Sequence, residues 1–127
     1  MGRNILCIED NPDNMMLLKR VLESAGFVLR QAFNGLDGLK IAETEPIDLV
    51  LLDINLPDID GYEVTRRLRK ASIPNAARLP ILVITANVQK RDVDEAMTAG
   101  ATEFITKPID IFELCSRVEN YLSASNP

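Results

Sequence analysis

The sequence predicts an α/β domain built on a five-stranded parallel sheet. Three observations carry this expectation. Five short apolar runs alternate with five segments of helical period, the pattern of successive β-α pairs. The third run, Ile47 to Leu52, is almost continuously apolar, as a strand covered on both faces must be. A chain of 127 residues holds one domain and can bury a sizeable core without disulfide or metal staples.

The elements follow in chain order. The first run, Ile5 to Ile8, ends in Glu9-Asp10. Asn11-Pro12 then opens a helix, proline being suited to a first turn, with Leu18, Val21, Leu22 and Ala25 on its apolar face and Gly26 closing it. A weaker strand runs through Phe27, Val28 and Leu29 to Ala32. Asn34-Gly35 signals a turn before a second helix carrying Leu36, Leu39 and Ala42. The third strand ends in Asp53. Pro57 and Gly61 punctuate the loop after it, and Asp60 is placed to cap a third helix. The stretch from Ala71 to Pro80 is the longest polar connection. The fourth strand, Ile81 to Ile84, ends in Thr85, and a helix around Arg91 to Thr98 stops at Gly100. The fifth strand, Thr102 to Thr106, ends in Lys107-Pro108. The last helix has the capping-box spacing Asp110 to Glu113, with Ile111, Leu114, Cys115, Val118 and Leu122 on one face. Right-handed crossovers leave few topologies for five such units, and the flavodoxin-like doubly wound order 2-1-3-4-5 leads them.

Composition narrows the chemistry. Lys plus Arg number 14 against 19 Asp plus Glu, a formal net charge of -5, which argues against electrostatic binding to nucleic acid or to an anionic membrane surface. Histidine is absent, so the chain has no His nucleophile, general base or metal ligand. Cys7 and Cys115 both sit in apolar runs and read as reduced core residues of a cytoplasmic protein. No apolar stretch approaches the ~18–20 residues of a membrane span.

The polar residues that end the strands are the informative ones. Strand 1 ends in Glu9-Asp10, strand 3 in Asp53, strand 4 in Thr85 and strand 5 in Lys107. In an open parallel sheet those ends share one edge, and ligands bind there where the strand order reverses. In the order 2-1-3-4-5 that point lies between strands 1 and 3, so Asp10 and Asp53 become neighbours. Three gathered carboxylates repel one another unless one holds a proton or a cation sits among them. Oxygen ligands without histidine favour Mg²⁺ over zinc. A partly open magnesium site beside a lysine suits phosphoryl transfer, and a carboxylate can itself be the nucleophile. Asp53, central at the crevice, is assigned that role.

At this point the chain resembles a response-regulator receiver domain, the phosphoacceptor half of two-component signalling. The likeness runs from about Asn4 to Leu122 and rests on five pieces in order: ILCIEDN, DLVLLDINLPDIDGYEV, LPILVITAN, AGATEFITKPI and the final amphipathic helix. The overall look is similar to single-domain regulators of the cell-division type. The resemblance implies that Asp10 ligates Mg²⁺ directly and Glu9 through water. It further implies that Asp53 is both phosphoacceptor and ligand, and that the Asn55 backbone carbonyl completes the metal sphere. Thr85 would close onto the phosphoryl group, Lys107 would pair with a phosphoryl oxygen, and the Lys107-Pro108 bond is expected to be cis. Phe104 would turn inward on activation, repacking the face made by helix 4, strand 5 and helix 5. The implied partners are a histidine kinase or histidine phosphotransferase upstream and a protein target downstream. The acidic pair of the family is often Asp-Asp; here its first member is Glu9.

Other readings stand beside this one. An Asp-nucleophile Mg²⁺ phosphatase normally needs a second Asp two residues on, where this chain has Asn55. A flavodoxin needs a phosphate cradle after strand 1, where this chain has the acidic EDNPDN. A receiver kept only as a scaffold would have lost site residues. Residues 1–127 are expected to be a single receiver domain that catalyses only its own phosphorylation and dephosphorylation. The Met1 start and short polar tail favour a complete regulator over a receiver excised from a hybrid kinase. Asn55 and Asn87 are expected to tune the lifetime of the phosphoryl group. Arg66, Arg67, Arg69 and Lys70 read as a solvated helix face, and Asn11 to Asn14 as helix capping at the border of the site.

Overall fold

The computed structural model describes residues 3–71, 76, 78–86, 89–108 and 110–124. Five strands and five helices alternate: β1 Asn4–Ile8, α1 Pro12–Ser24, β2 Val28–Ala32, α2 Gly35–Thr44, β3 Leu49–Asp53, α3 Gly61–Lys70, β4 Ile81–Thr85, α4 Lys90–Ala99, β5 Glu103–Thr106 and α5 Ile111–Ala124. The strands are all parallel and lie in the order β2-β1-β3-β4-β5. Asn87, the chain start at residues 1–2 and the tail at residues 125–127 lie outside the described residues.

Alternation along the strands sends side chains to two separate cores. Leu6, Ile8, Val50, Leu52, Ile81 and Val83 face α2, α3 and α4, meeting Leu39, Ala42, Val64, Leu68, Ala96 and Ala99. Ile5, Cys7, Leu49, Leu51, Leu82 and Ile84 face α1 and α5, meeting Met15, Leu18, Leu22, Leu114, Val118 and Leu122. Every residue of β3 and β4 is buried, which is why those two segments read as unbroken apolar runs. Cys7 is a buried core residue and Cys115 a half-buried one, and both are free thiols.

Local chemistry starts and stops the helices as expected. Asn11, Asn34 and Asp60 cap α1, α2 and α3 through side-chain oxygens that accept first-turn N–H groups. Gly26 and Gly100 follow α1 and α4 with φ of 93° and 113°, a region open to glycine. Asp110 Oδ1 accepts from Phe112 N and Glu113 N, but Glu113 reaches forward to Arg117 rather than back, so only half of the capping box forms.

Two expectations are corrected. Leu36, expected on the buried face of α2, is 51% exposed. The buried face is Gly35, Gly38, Leu39 and Ala42, because the two glycines let α2 lie close to its neighbours. Arg69 does not belong to a solvated face. Arg66 and Arg67 pair with Glu63, whereas Arg69 donates to the carbonyls of Ala76, Leu79 and Gly100 and to Thr102 Oγ1. It thereby ties α3 to the segments entering β4 and β5.

Candidate active site

The carboxyl ends of β1 and β3 lie side by side, with Ile8 paired to Leu52. The next residues, Glu9 and Asp53, are therefore brought together by sheet register alone. Both are buried, each 4% exposed, while Asp10 is exposed. Each of the three offers a carboxylate oxygen, and these oxygens lie within 4.8 Å of one another.

The first turn of α1 shapes one half of the site. Asn11 Oδ1 accepts from Asp13 N and Asn14 N, which fixes the turn. The same turn then holds Glu9: Asn11 N donates to Oε2 at 3.1 Å and Asn14 Nδ2 to Oε1 at 3.3 Å. The capping expected of residues 11–14 is present, and Asn14 adds a direct contact to a site carboxylate. Its signal in the sequence was only its place at N3 of the helix after the acidic pair.

β3 and β5 shape the other half. Asp53 Oδ1 accepts from Asn55 N at 2.9 Å, and Asp53 Oδ2 accepts from Lys107 Nζ at 2.7 Å. Lys107 Nζ also lies 3.7 Å from Glu9 Oε1. The end of β5 delivers this lysine: Lys107 N donates to Thr85 O at 2.9 Å, and the Lys107-Pro108 peptide is cis. Asn55 itself is exposed beside the carboxylates.

Electrostatics follows from burial and company. Burial pushes the Glu9 carboxyl above its ordinary range, and the Asp53 charge adds to this; the Asn11 N–H and Lys107 pull the other way. Burial lowers Lys107, but Asp53, Glu9 and Asp10 outweigh it and hold the ammonium above its usual value. Cys7, below the site, is pushed up by burial and then by Glu9 and Asp53, so it remains an inert thiol. Three carboxylates against one ammonium leave two formal negative charges, the complement of a divalent cation. The donors are all oxygen, which fits a hard ion such as Mg²⁺.

Thr85 and Phe104 occupy a different face. Thr85 is fully buried at the end of β4, paired with Thr106 of β5. Phe104, half-buried, pairs with Val83 and packs on the core shared with α2, α3 and α4. The structure thus groups Glu9, Asp10, Asp53, Lys107 and the Asn55 amide, puts Thr85 at the same strand edge, and keeps Phe104 below it on the side toward α4. Asp58, which accepts hydrogen bonds from α2, carries no signal in the sequence, since nothing in the pattern of the loop distinguishes it from its acidic neighbours.

A family model described as the response regulator receiver domain matches residues 5–119. The transcriptional activator protein IrlR of Burkholderia pseudomallei is 39% identical over 118 residues, which cover 93% of this chain and 49% of IrlR, so the chain spans about half the length of that relative. The polar-differentiation response regulator DivK of Brucella anthropi is 31% identical over 96% of this chain and 98% of its own. Among solved structures, the receiver domain of a sensor histidine kinase from Pseudomonas aeruginosa superposes with a TM-score of 0.86 at 32% identity, covering 97% of this chain and 99% of that one. That structure has a magnesium ion coordinated in its active-site cleft. No helix among the described residues is long and apolar enough to cross a membrane.

Proposed function

This chain belongs to the response-regulator receiver domain family of two-component signalling, and from that premise we propose that Asp53 takes a phosphoryl group from the phosphohistidine of a histidine kinase or histidine phosphotransferase. Residues 1–127 act as one receiver domain in the cytoplasm. Glu9, Asp10, Asp53 and the Asn55 carbonyl would hold Mg²⁺. When bound, the ion would offset the charge that gathers on the phosphoryl oxygens.

The observation that carries this reading is Lys107 Nζ at 2.7 Å from Asp53, inside a group of three carboxylates at one sheet edge. A carboxylate oxygen of Asp53 forms the new O–P bond as the P–N bond of the donor breaks, and the electron pair of that bond stays on the imidazole nitrogen, which takes up a proton. Lys107, released from Asp53, pairs with a phosphoryl oxygen, and the Thr85 hydroxyl closes on another. A cleft of about 530 Å³, lined by Asn14, Leu17, Leu18, Ala86, Lys107, Pro108 and Ile111, lies beside Lys107.

Inward movement of Thr85 frees space on the face it shares with Phe104, and rotation of Phe104 repacks the surface of α4, β5 and α5 that the downstream protein reads. The chain catalyses only its own phosphorylation and dephosphorylation. The phosphatase alternative lacks support, since Asn55 stands where the second acid is needed. Intact-mass measurement after treatment with acetyl phosphate tests the reading. One added phosphoryl group is expected with Mg²⁺, and none with chelator or in Asp53→Asn. A phosphoryl group on Asp53→Asn overturns the assignment of the nucleophile.

A further inference from the structure

The pairing of β1 with β3 sets the distance between Glu9 and Asp53, but it does not set the loop that follows Asp53. That loop, residues 54–60, brings the Asn55 amide onto Asp53 Oδ1 and folds back through Leu56 N and Gly61 N, both donating to Ile54 O. Its outer part is tied to another element by Asp58. Asp58 Oδ1 accepts from Gly35 N and Oδ2 from Leu36 N, each at 2.8 Å, so one carboxylate grips two successive amides in the first turn of α2. Such charge-assisted pairs at a helix N-terminus are among the stronger hydrogen bonds available to an exposed side chain. Although slight burial pushes the Asp58 carboxyl up, the N–H groups of Leu36 and Gly35 outweigh it and hold the group below its ordinary range.

The grip is reinforced by packing. A Cβ at Gly35 would lie 2.7 Å from Ile59 Cγ1 and 2.8 Å from Val64 Cγ2, so the loop and α3 come down directly on the α2 backbone. One turn later, a Cβ at Gly38 would collide with the Ile8 side chain. Ile8 immediately precedes Glu9. A continuous strut therefore runs from the β3–α3 loop through Asp58 and α2 to the end of β1, joining the two halves of the acidic site by a path separate from the sheet.

We propose that Asp58 is a positioning residue for the divalent-ion site, holding the β3–α3 loop, and with it Asn55, in register with Glu9 and Asp10. The inference rests on the reading of Glu9, Asp10 and Asp53 as ion ligands. Asp58 touches no ligand; it acts through the loop. Its loss weakens ion binding without removing a donor, and phosphorylation at saturating Mg²⁺ returns to the parental rate.

Calorimetric titration with Mg²⁺, paired with thermal melting, tests this in the parent, Asp58→Ala, Asp58→Asn and Asn34→Ala. Asn34→Ala removes the cap that α2 supplies to itself, through Asp37 N, and leaves the loop tether intact. Asp58→Ala is expected to bind Mg²⁺ about tenfold more weakly, the usual scale for residues that support metal ligands. Asp58→Asn, which keeps one acceptor oxygen and is the milder test of folding, should fall between Ala and the parent. Asn34→Ala should melt earlier with its Mg²⁺ affinity unchanged. The proposal is overturned if both Asp58 variants bind within about twofold of the parent, the margin of independent sites, or if Asn34→Ala loses as much affinity. A parent that takes up no Mg²⁺ overturns instead the ion-site reading on which the proposal stands.

Discussion

Lys107 Nζ lies 2.7 Å from Asp53 Oδ2 and 3.7 Å from Glu9 Oε1, so one ammonium, delivered by β5, bridges carboxylates at the ends of β1 and β3. The ion pair is largely buried on its acidic side, with the Asp53 side chain 5% exposed. At that depth an unpaired carboxylate is costly, and Lys107 supplies compensating charge. In the proposed reaction the same lysine follows the charge as it moves from the carboxylate to a phosphoryl group.

Lys107→Ala separates these two duties. Mg²⁺ affinity should hold or strengthen, because a competing cation has left the site. Phosphorylation by acetyl phosphate should slow about 100-fold, the scale of losing one transition-state donor. Calorimetry and a labelling time course measure the two independently. Parallel losses in both would mean that Lys107 holds the site together rather than serving the chemistry.

Glu9→Gln probes the repulsion among the carboxylates. The folded chain keeps the Glu9 proton to higher pH than the unfolded chain does. Stability without divalent ions therefore falls as pH rises from the ordinary value of 4.5 through the raised one. At neutral pH the variant should melt higher than the parent in chelator, with the difference closing on acidification. Its Mg²⁺ affinity should drop about tenfold, so the upward shift in melting that Mg²⁺ gives the parent should shrink.

Tyr121 offers a check on the β5–α5 surface. Its hydroxyl donates to Glu103 Oε2 at 2.7 Å, and that bond, with burial, raises the phenol to about 12. Between the ordinary 10.0 and about 12 the folded chain holds a proton that the unfolded chain has released, so stability falls as pH rises through this window. An absorbance titration should show a phenolate step near 12 that disappears in Tyr121→Phe. A Tyr121 step at the ordinary value would remove the bond to Glu103.

The site was legible because each of its charged groups stands at the carboxyl end of a strand. Glu9, Asp10, Asp53 and Lys107 all close an apolar run, and a parallel sheet sends every such end to one edge. Thr85 was visible by the same logic, whereas Asn55 and Phe104 owed their roles to the family resemblance. What stayed hidden depends on contacts that no local period records. Leu36 fits the apolar phase of α2 as well as its neighbours do; the phase is chosen by Gly35 and Gly38, which Ile59 and Ile8 crowd from outside the helix. Arg69 reads as one more charge in a basic run, yet the carbonyls of Ala76, Leu79 and Gly100 draw it inward. Asp58 meets Gly35 across 23 residues of sequence, a separation at which hydrogen-bonding partners leave no pattern.

Reductive trapping of the acyl phosphate identifies the residue that accepts the phosphoryl group. The chain is treated with acetyl phosphate and Mg²⁺, reduced with borohydride, digested and sequenced by mass spectrometry. Homoserine is expected at position 53 and at no other acidic residue. Reduction at Asp10 or Glu9, or a chain that carries no reducible acyl phosphate, would contradict this.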